Sequence, residues 1–204
     1  MEREYSLSSD EELDVKTVER KISIIEAALE EFNEKGLKFT MDDISKRLGV
    51  SKKTIYKVFK DKESLFNEAV DRCYSLIKKS EAQILSDNSL DDVEKLKRVL
   101  IVLPDRFKSI DWRKIATLVN IYPDIFKHIT HRIDSDWEPT IELIEKLKKE
   151  GKIKDISVPI FKIMTEASIK AFISNPMLVA NDISYEEALN SMVDILLDGI
   201  LVDE

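Results

Sequence analysis

The residues of this sequence whose types and spacing could do chemistry are cations and hydroxyls, crowded into TMDDISKRLGVSKKTIYKVFKDK between residues 40 and 62. Lysine ammonium groups neutralise phosphates, and threonine or tyrosine hydroxyls reach phosphate oxygens or base edges. Residues 38–62 hold eight Lys or Arg against three Asp, a local charge of +5 in a chain whose formal net charge is −8. A basic island in an acidic protein is an electrostatic footprint for a polyanion. A run of lysines is also how a solvated helix face looks; the contrast in charge with the rest of the chain weighs against that plainer explanation.

Other chemistries find little support. Four glycines cannot build the usual phosphate-cradling loop, and the acids are scattered along helical stretches without a catalytic arrangement. No enzyme activity, cofactor or resident metal is expected. His128 and His131, the two histidines, are spaced i, i+3. They could face a metal from one helix side with Asp124 or Asp134 nearby, or be ordinary polar side chains. Cys73 stands alone, so no intrachain disulfide forms, and it reads as a helix-packing residue.

Two short helices must position the cations. Thr40 is placed to cap the first, Met41 to about Leu48, with Asp42 and Asp43 at the positive end of its dipole. Ile44 and Leu48 form its buried stripe, Gly49 ends it in the left-handed conformation, and Val50 is a small apolar plug. Ser51 caps the second helix, expected to run to Phe59 or Lys60. At 100° per residue, Ile55 and Phe59 fall on its apolar side and Lys53, Lys57 and Lys60 opposite, flanked by Thr54 and Tyr56. Helix, Gly-Val-Ser turn and cation-bearing helix make the outline of a helix-turn-helix with its recognition helix second.

The order Gly36, Phe39-Thr40-Met41-Asp42-Asp43-Ile44, Leu48-Gly49-Val50-Ser51-Lys52-Lys53-Thr54-Ile55-Tyr56, Phe59, Lys62-Glu63 and Leu65 closely resembles the DNA-binding end of the tetracycline-repressor (TetR) family over roughly residues 16–70. The resemblance implies an all-α homodimer. An N-terminal three-helix helix-turn-helix domain binds a double-stranded DNA operator, and a C-terminal helical domain holds a small-molecule effector and the partner subunit. It also implies phosphate contacts from Thr40, Lys52, Thr54, Tyr56 and Lys62 and base contact from Lys53; Met41 and Lys57 complete the candidate DNA-binding set. Two positions depart from the family pattern: Lys53 stands where glycine is frequent, and Val58 where a tyrosine or histidine is common.

The remaining chain fits that frame. Residues 1–14 carry six acids against Arg3 and are expected to be a disordered acidic tail; the DNA-binding domain then covers 15–63 and the effector and dimerisation domain 64–204. The first helix is expected from Val15 to Lys35, with Ile22, Ile25, Ala28, Leu29 and Phe32 inward. A helix from Asp61 to about Leu85 joins the domains. Pro139 leaves open whether residues 124–150 form one helix or two. Phe107, Trp112, Tyr122, Phe126, Trp137, Phe161, Met164 and Phe172 are the candidate walls of a pocket for a largely apolar effector. The last two long helices carry an apolar arc wider than one bundle side needs. Phe161, Ala167, Ser168, Ala171, Ala188, Met192, Ile195 and Gly199 are therefore candidates for a dimer interface.

The N-terminus lacks a basic start and apolar core, and no apolar run approaches membrane-span length, so a soluble cytoplasmic protein without membrane contact is expected. The expected function is a ligand-responsive, sequence-specific transcriptional regulator, most simply a repressor. The alternative is a helical ligand-binding or scaffold protein that has lost operator binding.

Overall fold

The computed structural model describes residues 9–108, 110 and 112–202, and every named element in it is a helix. The chain divides into two compact units that meet in sequence between Ala69 and Val70, six residues beyond the expected boundary. A long helix runs through that boundary.

The N-terminal unit contains α1 (Ser9–Lys35), a 3-10 turn (Gly36–Lys38), α2 (Met41–Leu48), α3 (Lys52–Tyr56) and the first two turns of α4 (Lys62–Ser86). Residues 9–14, expected to be disordered, have helical backbone as the start of α1. Acids near a helix N-terminus complement its dipole, a favourable term that a composition argument omits. The rest of the expected tail, residues 1–8, lies outside the described residues. Ile24, Ile25, Ala28 and Phe32 of α1 pack with Phe39, Ile44, Ile55, Phe59, Leu65 and Phe66, all buried. Phe66 meets the edges of Phe32 and Phe39 at centroid distances of 5.7 and 5.9 Å. Such pairs each add about 0.5–1.5 kcal/mol beyond area burial.

In the C-terminal unit the remainder of α4 is followed by α5 (Asp92–Ile101), α6 (Asp105–Lys108), α7 (Trp112–Ile121), α8 (Pro123–Asp134), α9 (Glu138–Lys149), α10 (Val158–Ser174), α11 (Met177–Ala180) and α12 (Tyr185–Ile200). The segment with the open expectation is two helices. The break falls at Ser135–Trp137, where Asp136 adopts a left-handed φ of 56°, and Pro139 sits in the first turn of α9, where a missing N–H costs nothing. Trp137, rather than Ser135 or Asp136, occupies the N-cap position. The core gathers Leu96, Val99 and Leu100 of α5, Leu143, Ile144 and Leu147 of α9, Phe161 and Ile173 of α10, and the inner stripe of α12. Among the described residues no helix is long and apolar enough to cross a membrane.

Candidate nucleic-acid interface

The caps that aim the cations are as their residue types require. Thr40 Oγ1 accepts from the Asp43 amide at 3.2 Å, and Asp43 Oδ2 accepts in return from the Thr40 amide at 2.7 Å, a reciprocal capping box. Thr40 Oγ1 also donates to Asp43 Oδ2 at 2.7 Å, and that bond first, then Lys35 and the Thr40 amide, hold the Asp43 carboxyl far below the usual carboxylate range. Gly49 closes α2 with φ 64°, a conformation in which any Cβ is strained. Ser51 Oγ accepts from the Thr54 amide at 3.2 Å and starts α3. Val50, expected as a plug, is exposed, and Leu48 is only half-buried.

Helix α3 is shorter than expected and ends at Tyr56. The Val58 amide bonds to the Ile55 carbonyl at 2.9 Å, an i→i−3 bond that tightens the last turn and brings Phe59 back into the core. Lys52, Lys53, Tyr56 and Lys57 are exposed, and Tyr56 keeps 52% of its surface open. Lys53 and Lys57 make no ion pair among the described residues. An exposed aromatic with a phenol tip between two unpaired cations, on a helix seated by the buried Ile55, is a surface suited to phosphates and base edges.

Three members of the expected set are placed differently. Met41 is buried, so its side chain belongs to the core and only its backbone is available at the start of α2. Thr54 is half-buried with its hydroxyl 2.9 Å from Ser51 Oγ. Lys62 turns inward: Nζ donates to the Leu37 carbonyl at 2.8 Å and stands 4.0 Å from the centre of the Phe39 ring. Burial pushes its pKa below the ordinary lysine value. Lys62 thus ties the start of α4 to the turn before α2 instead of offering a free charge.

Arg47 is also committed within the fold. Its guanidinium reaches Glu31 at 2.7 Å, Glu34 at 2.7 Å and Glu30 at 3.0 Å, fastening α2 along α1. Glu31 is buried, and Lys35 bonds its other oxygen at 2.7 Å; Lys35 first and then Arg47 hold its carboxyl below the ordinary range, against the opposing effect of burial. Lys46 and Lys52 both pair with Asp42. The basic island therefore exposes fewer uncommitted cations than its composition suggests.

In the C-terminal unit the expected pocket and interface residues separate into inward and outward sets. Phe107 and Phe161 are buried, while Tyr122, Phe126, Trp137 and Phe172 are half-buried. Trp137 Nε1 donates to the Ile133 carbonyl at 2.8 Å. Met164 is 50% exposed on the outer side of α10, so it cannot wall an interior pocket, and the side chain of Trp112 lies outside the described residues. Of the expected interface set, Phe161, Ala188 and Met192 are core residues of the subunit itself, because α12 turns the stripe Tyr185, Ala188, Leu189, Met192, Val193 and Leu197 inward. Ala167, Ala171, Ile195 and Gly199 are exposed, and Ser168 is half-buried.

The histidines do not converge. His128 Nε2 lies 2.8 Å from Asp71 Oδ1 of α4, which also accepts from Arg132 Nε at 2.8 Å, while His131 is exposed. Asp124 pairs with Lys127, and Asp134 with Lys170. Sequence spacing pointed to acids one turn away on the same helix; the partner is instead 57 positions distant. Tyr74 and Lys78 of α4 donate to the Ser135 and Asp136 carbonyls at 2.7 and 2.8 Å, completing a polar seam between α4 and the end of α8.

The N-terminal unit thus defines a helix-turn-helix DNA-binding protein. Residues 24–69 match the model of "Bacterial regulatory proteins, tetR family", which ends where the unit ends. The chain is 29% identical over 171 residues to the uncharacterised HTH-type transcriptional regulator YvaF of Bacillus subtilis, covering 84% of this chain and 90% of that one. Its fold is similar to that of a TetR/AcrR-family regulator from Thermobifida fusca, with a TM-score of 0.64 at 21% identity over 89% of this chain and 98% of that chain. It is also similar to SmeT, repressor of a Stenotrophomonas maltophilia multidrug efflux pump, with a TM-score of 0.58 at 17% identity over 90% of this chain and 91% of that chain. Residues 24–69 thus carry the DNA-binding domain of the TetR family, and the chain is similar over most of its length to an HTH-type transcriptional regulator.

Proposed function

We propose that this protein is a ligand-responsive repressor that binds a partly palindromic operator as a homodimer and leaves it when a small, largely apolar effector occupies the C-terminal unit. The observation that carries the DNA-binding half is the outward set Lys53, Tyr56 and Lys57 on a helix held by the Thr40 and Ser51 caps, Gly49 and buried Ile55. Two such helices on a two-fold dimer enter successive major grooves. Support for the effector half comes from the fold and from SmeT, which has been solved with triclosan bound.

A second copy of this chain suits the outer side of α10 and α12, which pack against each other. Ile163 is 62% exposed and Ile195 73%, and Ile160, Met164, Ala167 and Ala171 lie on the same outer stripe of α10. A contiguous apolar stripe of this kind is costly to leave in water. Isologous pairing of α10 and α12 would bury it in a four-helix arrangement.

Regulation needs an element that both units share, and α4 is continuous from Lys62 to Ser86. Asp71, Tyr74 and Lys78 fasten it to α8 and the turn after it. An effector with different affinity for two arrangements of that seam would bias the direction in which α4 leaves the C-terminal unit.

The direct test is fluorescence anisotropy with duplexes tiled across the DNA flanking its own gene, at low and moderate salt. Retention of one duplex in excess competitor, lost in Tyr56→Ala, supports the proposal. A protein that binds no duplex even at low salt refutes it. Native mass spectrometry of the purified protein reports subunit number and any copurified effector.

A further inference from the structure

We propose that Asp42 is a specificity-determining residue: a carboxylate standing among the cations of the DNA-binding surface that weakens binding to duplexes in general and spares those offering it a base amino group. This rests on the DNA-binding role proposed above. Three acids lie in the basic stretch. Asp43 completes the capping box, and Asp61 accepts from the Ser64 amide at 2.7 Å at the start of α4. Asp42 does neither. Its Oδ2 takes Lys46 one turn on at 2.9 Å, and its Oδ1 takes Lys52 at 3.1 Å across the gap to the start of α3. The Asp42 side chain remains 33% exposed and that of Lys52 60% exposed, so both are within reach of a docking duplex.

Two consequences follow from that placement. In the free protein Lys52 is held by an internal partner, so a DNA phosphate must displace Asp42 before Lys52 counts toward binding. Once displaced, Asp42 Oδ1 lacks a close donor beside a polyanion, its one remaining contact being Ser45 Oγ at 3.5 Å. In the major groove only the cytosine N4 and adenine N6 amino groups can supply that donor; guanine and thymine edges facing it present acceptors. Repulsion from wrong sequences and a satisfied acceptor on the right one together sharpen discrimination. The Asp42 carboxyl is held below its ordinary pKa by Lys46 and then Lys52, so the charge is present at neutral pH.

The test uses the full chain as wild type, Asp42→Asn, Lys52→Ala and the double variant. One probe is a duplex selected by the wild type from a random-sequence pool, the other a scrambled duplex of equal length. Asparagine keeps the shape, and the cap of α2 lies in Thr40 and Asp43, so a thermal melt close to wild type is expected. Asp42→Asn should bind the scrambled duplex about 5–10-fold tighter while binding the selected duplex within about 2-fold of wild type. Its salt slope on the scrambled duplex should steepen by about 0.9, one added phosphate contact, and adding Lys52→Ala should remove that increment. Reselection with Asp42→Asn should lose a preference for cytosine or adenine at one position of each half-site. An unchanged scrambled-duplex affinity and slope, or an equal gain on both duplexes, overturns the role of Asp42 alone. A wild type that selects no duplex removes the DNA-binding proposal itself.

Discussion

Replacing Lys62 by methionine separates two roles that the same residue type could play. The substitution keeps the aliphatic stem and removes the ammonium, so the bond to the Leu37 carbonyl at 2.8 Å and the contact with the Phe39 ring at 4.0 Å are lost together. A hydrogen bond from a charged donor contributes about 1.5–3 kcal/mol, and a partly desolvated cation–π contact about 0.5–1 kcal/mol. Against this, methionine relieves the desolvation of the ammonium that lowers the pKa of Lys62. A net loss of about 1–2 kcal/mol remains, which in a chain of this size lowers Tm by about 2–8 °C. Because Nζ is engaged inside the N-terminal unit, it adds nothing to counterion release. The slope of log K against log salt should match that of the wild type, measured by anisotropy on one duplex between 50 and 200 mM KCl (a range over which phosphate contacts register strongly). Calorimetry supplies Tm. A slope shallower by about 0.9 with an unchanged Tm would show instead that Lys62 neutralises a phosphate.

Lys53→Ala, removing an unpaired cation of α3, should relax sequence preference more than it weakens binding to scrambled DNA; equal losses on both duplexes would contradict a base-reading role. The N-terminal unit should be acid-labile. Glu31, with an ordinary pKa of 4.5, and Asp42 and Asp43, at 3.8, are all depressed in the folded state. Their stabilising effect is complete above those values and is lost as pH falls through and below them toward the folded-state pKa values. Urea midpoints followed by circular dichroism should therefore fall below about pH 4.5, and less steeply in Glu31→Gln; midpoints independent of pH down to 3 would refute this. Ile195→Asp, placing a charge on the most exposed apolar residue of α12, should shift sedimentation from dimer to monomer at micromolar concentration without lowering helix content. A wild type that is itself monomeric there would remove the dimer proposal.

Much of the candidate interface was legible from spacing because its devices are local. Thr40 and Ser51 cap within three residues, and Gly49 answers a requirement of its own φ. The outward cations of α3 follow from counting around a helix whose buried member is Ile55. The length of α3 was not legible, since the tightened turn at Val58 serves Phe59, which is drawn into a core built by Phe32, Phe39 and Phe66 from other elements. On α12 the four interface candidates Ala188, Met192, Ile195 and Gly199 looked equivalent in the sequence. The structure buries Ala188 and Met192 against α5 and α10 and leaves Ile195 and Gly199 outside.

The sequence by itself determined an all-helical chain, the caps that begin α2 and α3, and a basic helix-turn-helix in an otherwise acidic protein, because each depends on residues three or four positions apart or on simple charge excess. Tertiary structure alone decided where each charge is used. Lys62 answers to a carbonyl 25 residues earlier, Arg47 to three carboxylates on α1, His128 and Arg132 to Asp71, and Lys52 to Asp42. A lysine in a sequence carries one charge whatever surrounds it; whether that charge meets DNA or an internal partner depends on which oxygen the fold brings within hydrogen-bond reach of it.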